Sequence, residues 1–216
     1  MALETLLFDF DGTLANTLPL TIYGMQTVFA QYDGRRLSAT DIIAMFGPTE
    51  DGMIKKNLHN KEQVQAAIAC YYDIYASEHR QYVERDTAII ELLELLKRRQ
   101  LSVGIITGKS RRSYRLSEDA LGLSRLVEHV ITGDDVVHPK PNPEGIIQMI
   151  ENFHANPATT IYIGDSNSDV VAGKAAGIQT AAVQWMALSQ SGSYPAGPDY
   201  FWTDVRELIQ LVLEEN

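Results

Sequence analysis

Apolar residues in this chain fall into two kinds of stretch: short continuous runs, and longer segments with apolar positions three and four apart. Leu6, Leu7 and Phe8 form the first short run, and residues 102–106, 129–132, 160–163, 179–183 and 200–202 repeat it. Runs this short, apolar on both faces and bounded by glycine or polar residues, predict strands buried in a parallel sheet. Helical patterns fill the gaps. One begins at Asp86 or Thr87 as N-cap and carries Ile89, Leu92, Leu93 and Leu96 on one face. Residues 110–121 stop at Gly122, residues 143–153 follow Asn142, residues 168–176 stop at Gly177, and Thr203 caps the last helix.

No strand lies between the first and second runs. Pro19 sits where a first helical turn tolerates it, ahead of Ile22, Met25, Val28 and Phe29. Residues 39–46 follow, then the break Gly47-Pro48, a short piece over 49–58, and a helix over 61–79 with Val64, Ala67, Ile68, Tyr71 and Tyr75 on one face. The prediction is an α/β fold, a Rossmann-like parallel sheet core with a helical cap domain inserted after the first strand. The core takes residues 1–15 and 86–216, the cap takes 16–85, and the crossings near 15–18 and 82–86 are the expected hinges. Residues 189–198, rich in glycine and proline, read as a surface excursion.

Two of the strand-like runs end in acids. Leu6-Leu7-Phe8 gives way to Asp9-Phe10-Asp11-Gly12-Thr13, and Ile161-Tyr162-Ile163 to Gly164-Asp165-Ser166-Asn167-Ser168-Asp169. A strand that breaks at glycine lets acids two apart turn toward one cleft. Carboxylates gathered there are costly without a cation, so the four aspartates suggest one divalent metal site. Taken singly, each has a plainer reading. An aspartate after a strand is commonly a turn or cap residue, and Asp165 or Ser168 could simply start a helix.

With 216 residues, 45% of them hydrophobic, the chain is long enough for a cored domain with an insert, and a net charge of -10 argues against nucleic acid or an anionic membrane as partner. No basic leader precedes the first strand and no window approaches a membrane span, so a cytoplasmic protein is expected. The single Cys70 excludes an internal disulfide and reads as a buried helix residue. No coiled-coil or long apolar surface signal appears, which points to a monomer or weak homodimer.

Asp9-Phe10-Asp11-Gly12-Thr13 resembles the first motif of the haloacid dehalogenase superfamily of phosphatases and phosphomutases. Thr107, after Val103-Gly104-Ile105-Ile106, resembles the second motif. Lys140 in His138-Pro139-Lys140-Pro141 resembles the third, and the run from Gly164 to Asp169 the fourth. The resemblance spans nearly the whole chain and is to the phosphoglycolate phosphatase-like and β-phosphoglucomutase-like subgroup with a helical cap. The pair Gly108-Lys109 departs from the Thr-Asn-Lys common in phosphoglycolate phosphatase-like members.

The resemblance implies a Mg2+-dependent phosphatase of a small phosphorylated metabolite. Asp9 would be the nucleophile that forms a phosphoaspartate, and Asp11 the general acid and base. Asp9, Asp165 and the backbone carbonyl of Asp11 would hold Mg2+, an ion suited to an all-oxygen, histidine-free set. Thr107, Gly108 and Lys140 would bind the phosphoryl group, with Asp169 and Thr13 bracing the site from behind. Specificity is expected in the cap, with Glu50 of Phe46-Gly47-Pro48-Thr49-Glu50-Asp51 the candidate substrate contact. The plainer reading of Glu50 is a helix N-terminal charge.

Other classes fit less well. The run Gly104-Ile105-Ile106-Thr107-Gly108-Lys109-Ser110 looks like a P-loop but has three residues between its glycines where a P-loop has four. Lys109 is accordingly expected at the cleft mouth or in solvent. A receiver-type phosphoacceptor module carries its aspartate after the third strand and has no cap. A dehalogenase would lack Asp11. A phosphomutase of the same superfamily, and from a different class a catalytically silent sensor of a phosphate ligand or the phosphoacceptor signalling module, are the alternatives, Thr13 favouring hydrolysis over mutase chemistry.

Overall fold

The computed structural model describes residues 3–214. Six strands form one parallel sheet: β1 (Thr5–Phe8), β2 (Ser102–Ile106), β3 (His129–Ile131), β4 (Thr160–Gly164), β5 (Gln179–Val183) and β6 (Tyr200–Trp202). Their spatial order is β3-β2-β1-β4-β5-β6. The chain thus winds outward from β1 through β2 to β3, then returns to the other side of β1 with β4. Loops leaving β1 and β4 diverge at that reversal and leave a crevice beyond the strand ends.

The register aligns the site. Phe8 lies beside Ile105 of β2 and Ile163 of β4, so Asp9, Thr107 and Asp165 emerge together from three adjacent strands. Alternation explains why the runs are apolar throughout. Leu6 and Phe8 join the larger core cluster on one face, and Leu7 joins Ile106, Ile131, Met149 and Tyr162 on the other. Helices α5 (Thr87–Arg98), α6 (Arg111–Leu121), α7 (Glu144–Phe153), α8 (Asn167–Ala175) and α9 (Val205–Glu214) cover the two faces, after the inserted α1 (Leu18–Asp33), α2 (Ala39–Ile43), α3 (Glu50–Asn57) and α4 (Val64–Tyr82). The inserted helices bury Met25, Phe29, Tyr71 and Tyr75 in the same continuous cluster as β1. Among the described residues, no helix is long and apolar enough to cross a membrane.

Three local expectations shift. Helix α8 begins at Asn167, one residue early, because Ser166 and Asp169 form a reciprocal capping box. At α9 the cap is Asp204, whose carboxylate accepts from the Arg206 amide, whereas the Thr203 amide donates to Glu207. Cys70 does lie on α4, but it is half-buried, with Sγ 3.8 Å from the Gln31 side chain.

Candidate active site

A cavity of about 290 Å³ opens over the ends of β1 and β2, walled on the far side by the inserted helices. Asp9, Asp11, Thr107, Gly108, Lys140 and Glu50 all line it. Asp165, Asp169 and Thr13 are buried just behind. The geometry therefore gathers every residue singled out from the sequence, with some in unexpected company.

Asp9 anchors the cavity. Its Oδ1 is 2.9 Å from Lys140 Nζ, which also reaches Asp169 Oδ1 at 2.6 Å. Burial is the largest influence on Asp9 and pushes its carboxyl up to about 7; Lys140 opposes this, while Asp169 and Asp11 add to it. Asp165 is also raised well above its ordinary value, by burial first and then by Asp9 and Asp169. Burial works against the Lys140 ammonium, but Asp169 and Asp9 together outweigh it and keep it charged. Asp169 is fully engaged, accepting from Ser166 N at 3.0 Å, Ser166 Oγ at 2.6 Å and Tyr162 O–H at 3.2 Å besides Lys140. It caps α8 and fixes the lysine at once.

Asp11 faces another way. Its carboxylate accepts from the Thr17 hydroxyl and pairs with Lys109 Nζ at 2.9 Å. Lys109 is thus not at the mouth or in solvent but 4% exposed. Three acceptors offset the cost of burying it: Asp11, Glu50 at 3.2 Å, and the Tyr75 ring face, whose centroid is 4.8 Å away. Glu50, the first residue of α3, also accepts from the Ser110 amide at 2.8 Å. Its carboxylate is engaged by the chain itself. Thr13 carries a backbone carbonyl that accepts from Trp185 Nε1 at 2.8 Å, which pins the loop after β1.

The segment after β5 had suggested a surface excursion, yet it folds back onto the acids. Gln190 Nε2 donates to Asp9 Oδ2 at 3.4 Å, the Asp11 carbonyl at 3.1 Å and Asp165 Oδ1 at 2.9 Å. Tyr194 O–H donates to the Asp165 carbonyl at 2.9 Å. Neither residue stands in a motif; a glycine-rich loop after the last long strand was their only trace in the sequence. Three oxygens converging on one amide nitrogen also test the metal. Asp9, Asp165 and Asp169 each offer an oxygen within 4.8 Å of the others. An all-oxygen set of carboxylates plus a carbonyl, in which burial first and neighbouring carboxylates next raise Asp9 and Asp165, fits Mg2+. Gly12 makes this approach possible: its φ is +83°, and a Cβ there would stand 2.2 Å from Asp165 Oδ2.

Residues 6–183 match the haloacid dehalogenase-like hydrolase family. The chain belongs to that family. One relative, Pyrophosphatase PpaX of Oceanobacillus iheyensis, is 30% identical over 212 residues, covering 98% of each chain. Two solved structures share the fold at lower identity. A predicted phosphoglycolate phosphatase from Haemophilus somnus 129PT superposes with a TM-score of 0.84 at 18% identity, covering 97% of each chain. CbbY from Rhodobacter sphaeroides, in complex with phosphate, gives 0.83 at 19%, covering 95% of this chain and 96% of the other. The hydrolase family and the parallel α/β core thus agree with what the four motifs implied.

Proposed function

We propose that this hydrolase is a Mg2+-dependent phosphatase that cleaves a small phosphorylated metabolite through a phosphoaspartate on Asp9. The observation that carries the reading is the single cavity onto which Asp9, Asp11, Thr107, Gly108 and Lys140 open together, above a cluster of buried carboxylates. The names of the relatives support phosphate chemistry and suggest pyrophosphate as one substrate to test.

Asp9, Asp165 and the Asp11 carbonyl would hold Mg2+, which supplies positive charge to ionise Asp9 and to offset the phosphoryl oxygens. Asp9 then attacks phosphorus as the bond to the leaving oxygen breaks, and Asp11 gives that oxygen its proton. In the second step Asp11 takes a proton from water, whose oxygen displaces the Asp9 carboxylate and releases inorganic phosphate. Thr107 and Gly108 orient the phosphoryl oxygens, and Lys140, tied to Asp169, keeps a fixed ammonium beside both Asp9 and the phosphate.

Release of p-nitrophenol from p-nitrophenyl phosphate, with Mg2+ and with chelator, tests the reading on the native chain and on Asp9→Asn. Turnover that needs both Mg2+ and Asp9 is expected. Activity that survives Asp9→Asn would overturn the assignment of the nucleophile.

A further inference from the structure

The two ends of the cavity differ in charge. At the phosphoryl end Lys140 stands beside Asp9. At the other end the wall is apolar, built from Leu18, Phe46, Pro48 and Met53, and its charged groups are Glu50 and Lys109. Both are 4% exposed, and they pair with each other at 3.2 Å. Lys109 is shared further with Asp11 at 2.9 Å.

Among the described residues lining the cavity, Lys109 and Lys140 are the cations, against the carboxylates of Asp9, Asp11 and Glu50. Lys140 is committed to Asp9 and Asp169, and Lys109 to Asp11 and Glu50. A leaving group that carried its own negative charge would meet the Glu50 carboxylate and apolar carbon, with no ammonium to spare. Like charges repel more strongly beside a buried carboxylate such as Glu50 than in solution. A neutral leaving group has no such conflict. It buries against Leu18, Phe46 and Met53, and a cavity of about 290 Å³ limits it to a small one.

We propose, resting on the phosphatase reading above, that Glu50 and Lys109 form a charge-neutral selector restricting the site to phosphate monoesters of small uncharged alcohols. Pyrophosphate and carboxylated esters such as phosphoglycolate are then poor substrates. Glu50 acts as a rejecting element: with Asp11 it gives Lys109 two carboxylate partners, so a second anion meets a surplus of negative charge. Its bond from the Ser110 amide holds it in that role.

The test compares kcat/KM for p-nitrophenyl phosphate and glycerol phosphate with that for pyrophosphate and phosphoglycolate, in the native protein and in Glu50→Gln. The amide can still accept from Ser110 but leaves Lys109 with one fewer carboxylate. We expect the native protein to favour the neutral-leaving-group esters at least tenfold, and Glu50→Gln to move that ratio at least tenfold toward the anionic ones. Equal or better use of pyrophosphate by the native protein would overturn the proposal, as would a ratio unmoved in a Glu50→Gln variant of native melting temperature. If no ester turned over, the phosphatase reading would fail by itself. Calorimetric titration with inorganic phosphate and with pyrophosphate, in Mg2+, would still decide the selector. Native protein that bound pyrophosphate as tightly as phosphate would refute it.

Discussion

Replacing Lys140 by methionine removes one ammonium from between two buried carboxylates and puts in its place a side chain of similar length. In the native site Lys140 Nζ lies 2.9 Å from Asp9 and 2.6 Å from Asp169, and it also donates to Tyr162 Oη at 3.0 Å. Taking one partner from a buried ion pair costs about 3–5 kcal/mol, because the other charge stays behind without compensation. Asp9 makes the cost depend on pH. Its folded pKa is already about 7 against an ordinary 3.8, so in the metal-free protein it binds a proton below neutrality that the unfolded chain does not. Stability therefore falls as pH rises from about 4 to 7, and losing Lys140 extends that fall to higher pH. At pH 6 Asp9 is largely neutral in both proteins, and the variant loses chiefly the Asp169 pair. At pH 8 it loses both. Urea denaturation in chelator should show Lys140→Met destabilised by about 3–5 kcal/mol at pH 8, and by about 1 kcal/mol less at pH 6, where one pKa unit is worth about 1.4 kcal/mol. A loss under about 1 kcal/mol, or one equal at both pH values, would refute the claim that Lys140 holds the two acids in place.

Gln190→Ala removes the amide that bridges Asp9, Asp11 and Asp165. Hydrogen bonds to charged groups contribute about 1.5–3 kcal/mol, so the metal-free variant should melt several degrees lower in thermal denaturation, and the gap should narrow in excess Mg2+. Asp33→Asn tests the inserted helices alone. Asp33 closes α1 by accepting from the His59 and Asn60 amides and from Arg35 at 2.6 Å. Burial pushes its carboxyl up, but these bonds outweigh it and leave the pKa below 3.8. The contribution is complete above that value and disappears as pH falls through the lower folded one. The variant should therefore lose about 1–3 kcal/mol at pH 7, and the difference should shrink in urea denaturation as pH falls below 3.8.

The sheet was legible because the central strands β1, β2, β4 and β5 are buried on both faces, so their sequences are largely apolar. Residues 102–106, 179–183 and 200–202 matched to the residue. Asp9 and Asp165 were legible for the opposite reason: acids at the end of such a run are expensive and stand out. Lys140 was not, since a lysine between prolines looks like solvent-exposed loop, and only its place among the motifs raised it. The burial of Lys109 was hidden because its partners lie far away in sequence. Glu50 and Asp11 neutralise it from the inserted helices and from the first loop, and nothing in Thr107-Gly108-Lys109-Ser110 announces either. Gln190 is harder still, for a neutral side chain in a glycine-rich loop has no pattern until the loop is folded over the carboxylates.

The junction between the inserted helices and the sheet core was hidden by tyrosine. On α4 the periodic positions read as an apolar stripe, and Tyr71 and Tyr75 do bury their rings. The hydroxyls of that helix nevertheless bond across to α6. Tyr72 O–H donates to Ser110 Oγ at 2.9 Å, and Tyr75 Oη and His79 Nε2 both meet Ser117 Oγ, at 2.8 and 2.9 Å. Positions 72, 75 and 79 follow helical spacing and meet Ser110, the N-cap of α6, and Ser117 one heptad on, so polar contacts are set into an otherwise apolar seam. Polar contacts differ from apolar ones in what happens on separation. Each hydroxyl can exchange its partner for water at a net cost of about 1 kcal/mol, whereas parting apolar helices exposes carbon that water does not repay. Ser110 completes the connection, since its hydroxyl meets Tyr72 and its amide meets Glu50. The residue that starts α6 therefore joins the seam to the cavity, and the charge pair there is held by the same contacts that seat the inserted helices on the core.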